Sequence, residues 1–196
     1  MNYKTITSII LLCGLIFPQS KDTLYSLSVD VGAGYSRYIT TLELQNLDQN
    51  GYGGTVRIMW HPEHLLSLGL ESGYQYLYRL GGQVKLDEAG ISDVRASMIS
   101  IPIMAIFSMK ILPEHLPNLE LNSGLGVFLL YNRGYAFGAS IKNYQLSIGY
   151  SAAVTYLQPL SDFILVGAEI KYSNISKIQD SAILFQLMFS YKFLNW

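Results

Sequence analysis

From Tyr25 to Tyr38 the chain alternates strictly. Tyr25, Leu27, Val29, Val31, Ala33 and Tyr35 fall on one side, and Ser26, Ser28, Asp30, Gly32, Gly34 and Ser36 on the other. Successive side chains of a strand point to opposite faces, so one face of this segment requires apolar surroundings and the other tolerates water. The pattern recurs about eight times along the chain and predicts an all-β fold. That fold is a closed, antiparallel, up-and-down barrel whose apolar face is turned outward to lipid.

The orientation follows from size. The apolar faces carry Leu, Ile, Tyr, Phe and Trp, whereas an eight-stranded barrel has an interior only just wide enough for side chains. The opposite faces are rich in Gly and Ser with a few charges, which suits a narrow hydrogen-bonded lumen. With 13 basic and 14 acidic residues in 196, no charge imbalance points to nucleic acid.

The first twenty residues are a separate signal. Lys4 supplies the positive start, Ile9 to Phe17 the apolar run, and Pro18-Gln19-Ser20 a helix-breaking end. Residues 1–20 are therefore assigned as a signal peptide and residues 21–196 as the barrel domain. Cys13 is the only cysteine and falls inside that signal, so the mature chain has no thiol chemistry. Leu11-Leu12-Cys13-Gly14 loosely resembles a lipoprotein processing site, but Leu12 stands where such a site needs a small residue. The simpler reading is an apolar residue of the signal.

After the first strand, the second sets Tyr52, Gly54, Val56, Ile58 and Trp60 against Gly53, Thr55, Arg57, Met59 and His61. The third sets Leu66, Leu68, Leu70, Tyr74, Tyr76 and Tyr78 against Ser67, Gly69, Glu71, Gly73 and Gln75. The fourth, from Arg95 to Met109, is apolar on both faces and contains Pro102, for which a bulge or change of phase is expected. The fifth opposes Leu119, Leu121, Leu125, Val127, Leu129 and Tyr131 to Glu120, Asn122, Gly124 and Gly126. The sixth opposes Tyr144, Leu146, Ile148, Tyr150, Val154 and Tyr156 to Gln145, Ser147, Gly149, Ser151 and Thr155. The seventh opposes Ile164 through Tyr172 to Gly167, Glu169, Lys171 and Ser173, and the eighth opposes Ile183 through Phe193 to Gln186, Ser190 and Lys192. Long connections, including Arg79 to Val94 and Asn132 to Asn143, alternate with short turns at Pro62, at Leu112 to Asn118 and at Gln158 to Asp162. Short periplasmic turns and long external loops have this asymmetry, which places both termini in the periplasm.

Aromatic rings cluster at strand ends, where amphipathic side chains favour the two membrane interfaces. Tyr35, Tyr52, Tyr76, Tyr131, Tyr144 and Tyr172 are assigned to the outer girdle, and Tyr25, Trp60, Tyr156, Tyr191 and Phe193 to the inner one.

On these features the mature chain resembles the small eight-stranded outer-membrane barrels of the OmpA and OmpX type. The resemblance implies an integral outer-membrane protein of Gram-negative bacteria, a monomer surrounded by outer-membrane lipid and lipopolysaccharide. It also implies that the barrel-insertion machinery reads the aromatic last strand. Phe189, Tyr191 and Phe193 fit that insertion signal, and Trp196 is a terminal aromatic out of phase with them.

The lumen is expected to hold Asp30, Arg57, Glu71, Glu120, Glu169, Lys171 and Lys192, with Asp30, Arg57 and Glu71 as an ion-pair cluster near mid-height. Confined charges are costly unless paired, and mixed signs at similar depth supply the pairing. A filled, rigid lumen is the favoured reading, and a gate or selectivity element for ions the other. No Ser/His/acid set can be assembled on the outer side, so an enzyme is not expected. His61 and His64, and Asp87, Glu88 and Asp93, are read as solvated turn and loop residues and not as metal ligands. No cofactor is expected. The leading function is a structural or surface-interaction barrel. A passive pore for small solutes and an accessory role in secretion or envelope assembly are the alternatives.

Overall fold

The structure, a computed structural model, describes residues 25–40, 46–63, 65–86, 90–136 and 139–195, except the side chains of residues 83–93 and 195. The expected signal peptide with Cys13, and His64, Asp87, Glu88, Trp196 and the Asp93 side chain, lie outside the described residues. Nine strands form: β1 (Ser26–Ile39), β2 (Leu47–Asp48), β3 (Asn50–His61), β4 (Leu66–Leu86), β5 (Gly90–Lys110), β6 (Leu119–Ala136), β7 (Ala139–Pro159), β8 (Ile164–Ile175) and β9 (Asp180–Asn195). Eight of them pair with their neighbours in sequence, all antiparallel, and β1 closes the ring on β9. The two-residue β2 adds to the outer part of β4 through Leu47 opposite Leu80 and Asp48 opposite Arg79.

The registers fix the shape of the ring. Stepping across ladder partners from Val29 leads through Ile58, Leu70, Ala105, Leu125, Tyr150, Asn174 and Ser181. Ser181 returns to β1 at Ile39, ten residues beyond the start. A shear of ten over eight strands tilts the strands by about 40° and sets a backbone radius of about 8 Å. Such a bore is filled by side chains.

Side-chain direction follows the alternation. Leu187, Ile148 and Leu125 stand on the outward face at 75%, 72% and 70% exposure, while Ser190, Ser151 and Asn122 on the same strands are buried inside. The outward belt is thus a continuous apolar surface, which only lipid solvates favourably. An arginine in the middle of that belt tests this: Leu187→Arg is expected to cost about 2–4 kcal/mol in urea titrations of folding into lipid vesicles. An unchanged midpoint would show that the belt does not face hydrocarbon.

Three expectations are corrected. The segments 79–94 and 132–143 are not loops, because β4 and β5 continue to Leu86 and from Gly90, and β6 and β7 to Ala136 and from Ala139. These four strands run 18 to 21 residues, about twice what crossing a bilayer needs, so both hairpins project beyond the ring.

Pro102 causes no bulge. It stays in register opposite Phe128, and towards β4 the ladder passes from Ser72–Ile103 to Gln75–Ser100 without a shift. Its carbonyl accepts the Ser72 hydroxyl at 3.0 Å. The missing N–H therefore falls where that ladder lapses. The bulge lies instead at Leu77, between the Tyr76–Ile99 and Tyr78–Met98 partners. The extra residue reverses the phase, so Tyr78 turns inward against Tyr38, ring centres 5.5 Å apart.

Candidate functional site in the lumen

The lumen has three levels, two packed with side chains and one that holds a cavity. At mid-height Arg57 on β3 faces Glu71 on β4 in register, and its Nε donates to Glu71 Oε2 at 2.5 Å. Across the bore its Nη2 donates to Glu169 Oε1 at 2.5 Å, with Nη1 at 2.5 Å from Oε2. Lys171 Nζ donates to Glu71 Oε1 at 2.6 Å and lies 3.9 Å from Glu169. All four side chains are almost fully buried. Thr155 and Gln186 donate to Glu169 at 2.6 and 2.7 Å, and Gln186 is tied to Thr55. Two cations and two carboxylates thus bridge β3, β4 and β8, with their hydrogen-bonding positions taken up by neighbours.

The remaining lumen charges lie lower, towards the terminal end, where β1 begins and β9 ends. Asp30 opposes Arg57 in the β1–β3 ladder, but its Oδ1 accepts the hydroxyls of Ser28 and Ser190 at 3.0 and 2.6 Å. The ion pairs of Arg57 run to Glu71 and Glu169. Glu120 accepts Ser108 at 3.0 Å. Asp30, Glu120, His61, Lys110 and Lys192 line a cavity of about 740 Å³ that reaches the turns at the terminal end. There the His61 ring nitrogens hydrogen-bond with Ser28 and Ser67 at 3.0 and 2.6 Å, a structural bridge between β1 and β4. Among the described residues no group of three or more His, Cys, Asp or Glu is placed to hold a metal ion.

The layer at the opposite, far end was missed by the sequence reading. Phe128, Leu130, Leu77, Met98, Ile175 and Tyr38 pack together across the bore, and Phe128 and Leu130 are 1% and 0% exposed. Gly149 makes the room, since a Cβ there would lie 2.5 Å from the Phe128 ring. The signal was present: Phe128 and Leu130 continue the inward phase of Asn122, Gly124 and Gly126. The turn after β8 seats on this layer, with Ile178 against it and the Lys177 amide donating to Ser147 Oγ at 3.0 Å. Tyr38 donates its hydroxyl to Asp180 beside that turn.

On the outer surface the girdle tyrosines meet in pairs. Tyr52 stacks with Tyr74 and Tyr76 at 6.0 and 5.8 Å, Tyr131 with Tyr144 at 4.8 Å, and Tyr172 tilts against Tyr150 at 6.5 Å. Tyr35 donates its hydroxyl to Asn50. Tyr25, Trp60, Tyr156 and Tyr191 are exposed nearer the terminal end, as are Phe189 and Phe193 on β9.

No family model matches the chain, and no curated protein matches it. Solved structures do. Ail, the attachment invasion locus protein of Yersinia pestis, in complex with the heparin analogue sucrose octasulfate, superposes with a TM-score of 0.56 at 15% identity. That match covers 86% of this chain and 99% of Ail. The chain has the fold of the small outer-membrane β-barrels of the OmpA and OmpX type. Neisserial surface protein A matches this barrel at 14% identity and TM-score 0.53, over 86% of this chain and 99% of that one. A major outer membrane protein of Thermus thermophilus matches it at 16% and 0.52, with the same shares covered. In barrels of that fold the outward belt is the surface that crosses the membrane and the alternate residues line the lumen.

Proposed function

We propose that this chain is an integral outer-membrane barrel with a sealed lumen, which stabilises the envelope and presents the β4–β5 and β6–β7 hairpins to partners outside the cell. Residues 1–20 serve as its export signal, both termini lie in the periplasm, and Phe189, Tyr191 and Phe193, with Trp196, serve as its insertion signal. The observation that carries this reading is the double closure of the bore. The Arg57–Glu71–Glu169–Lys171 network spans it, and the Phe128–Leu130 layer lies above. A barrel closed twice is poorly suited to passing solutes, whereas two projecting hairpins offer surface for contacts. An attachment protein of the same fold that holds a sulfated saccharide analogue supports the display role.

Epitope tagging of living cells tests it. A tag inserted after Ala136, at the tip of the β6–β7 hairpin, is expected to be labelled on intact cells, and a tag after the last residue only after permeabilisation. Labelling of the C-terminal tag on intact cells would overturn the orientation, and loss of both tags from the outer-membrane fraction would overturn the location.

A further inference from the structure

On the outward face of the β6–β7 hairpin two cations stand side by side. Arg133 and Lys142 are ladder partners, and both are exposed. The next outward pair towards the belt, Tyr131 and Tyr144, are also ladder partners and stack at 4.8 Å with 27° between their planes. The Arg133 guanidinium lies 5.5 Å from the centre of the Tyr131 ring and donates to its hydroxyl at 3.3 Å. On β5, Arg95 opposes Tyr135 one outward step beyond Arg133.

Like charges directly opposite each other across a ladder are destabilising. This hairpin brings no acid to relieve them, since no Asp or Glu occurs between Glu120 and Asp162. The arrangement calls for an anion from outside the chain. Its place on the surface says which kind. Towards the belt the same face continues from the tyrosine pair to Leu129 opposite Leu146 and Val127 opposite Ile148, and Leu146 and Ile148 are among the most exposed apolar residues. A ligand reaching both cations along this face lies over tyrosine rings and then over apolar side chains. Tyrosine at headgroup level with basic residues just beyond it matches the chemistry of a lipid interface. The outward faces of β8 and β9 have the apolar residues and tyrosine, in Ile170, Tyr172, Ile183 and Phe185, but the cations near them, Lys177 in the following turn and Arg37 opposite Ile183, are not partners of each other in a ladder.

We propose that Arg133 and Lys142, set over the Tyr131–Tyr144 pair, form a binding site for the phosphate-bearing headgroup of a lipid in the surrounding leaflet. The phosphate lies between the guanidinium and the ammonium, the polar backbone of the headgroup over the two rings, and the acyl chains along Leu146 and Ile148. The site rests on the reading that the belt spans a membrane, and it adds a preferred lipid on one side of the barrel.

The test folds the mature chain into phosphatidylcholine bilayers with and without phosphatidic acid and reads the retained phosphatidic acid by native mass spectrometry. Wild type is expected to retain it. The double variant Arg133→Gln, Lys142→Gln is expected to bind about thirtyfold more weakly, while Arg37→Gln on β1 binds as wild type. Equal retention by the double variant would overturn the site. Binding of sucrose octasulfate in plain phosphatidylcholine with the same dependence on Arg133 and Lys142, and without phosphatidic acid preference, would assign the pair to a soluble anionic saccharide and overturn the lipid. Vesicle flotation separates failure of the site from failure of the belt reading it rests on, because a chain that fails to float with the bilayer contradicts membrane insertion itself.

Discussion

Arg57→Ala is expected to destabilise the folded barrel by about 3–5 kcal/mol. Arg57 is the one cation that touches both Glu71 and Glu169 at 2.5 Å. Removing it leaves two buried carboxylates with only Lys171, which bonds Glu71 at 2.6 Å and stands 3.9 Å from Glu169. The loss is therefore dominated by an uncompensated buried charge more than by the attraction forfeited. Urea titration of folding into vesicles, followed by the shift in gel mobility of the folded barrel, reads it directly. Replacing Arg57, Glu71, Glu169 and Lys171 together with apolar residues of similar volume should recover most of the stability, because a complete ion network and a packed apolar core differ little in net free energy. A loss below about 1 kcal/mol for Arg57→Ala would show the network to be solvated, as surface pairs are.

The second large effect lies in the far layer. Phe128→Ala and Leu130→Ala each remove a fully buried side chain from a packed bore, at an expected cost of about 2–5 kcal/mol apiece from lost burial and the cavity left behind. Their effect on conduction separates the two seals. Either substitution alone should leave the bore silent, because the ion network below remains, and Arg57→Ala alone should do the same, because the far layer remains. Phe128→Ala combined with Arg57→Ala opens both levels and is expected to give discrete conductance steps in a planar bilayer. Steps from Arg57→Ala alone would show that the far layer seals nothing.

Much of this molecule was legible in its alternation. Eight membrane strands, their order and the outward set on β7 and β9 follow from period and size alone, since one face of each strand meets lipid and a one-residue slip would expose the other. The ends of the hairpins were not legible. Gly81-Gly82 and Asn132 to Gly134 have the composition of turns, yet ladders of β4 with β5 and β6 with β7 run through them, because continuous ladder pairing overrides weak strand propensity. The bulge at Leu77 has no mark in composition, and Pro102 drew attention to the wrong place.

The network shows what register adds. Asp30 was the natural partner for Arg57 from its position on the neighbouring strand, whereas Glu169 lies 112 residues away in the chain. Only the shear of ten, which tilts the strands by about 40°, brings β8 to the height of Arg57 across the bore. Shear depends on the register of every pair in the ring and cannot be summed from strands read one at a time. The far layer was missed for a simpler reason. Phe128, Leu129, Leu130 and Tyr131 are apolar on both faces, and attention to the lipid side hid the inward pair.

Whether the lumen is sealed is read by single-channel recording of the refolded mature chain in a planar bilayer. The wild type is expected to be silent, with conductance appearing only when the Arg57 network and the Phe128 layer are both breached. Steady, ion-selective conductance from the unmodified chain would contradict it and make the charged layer a selectivity element of an open pore.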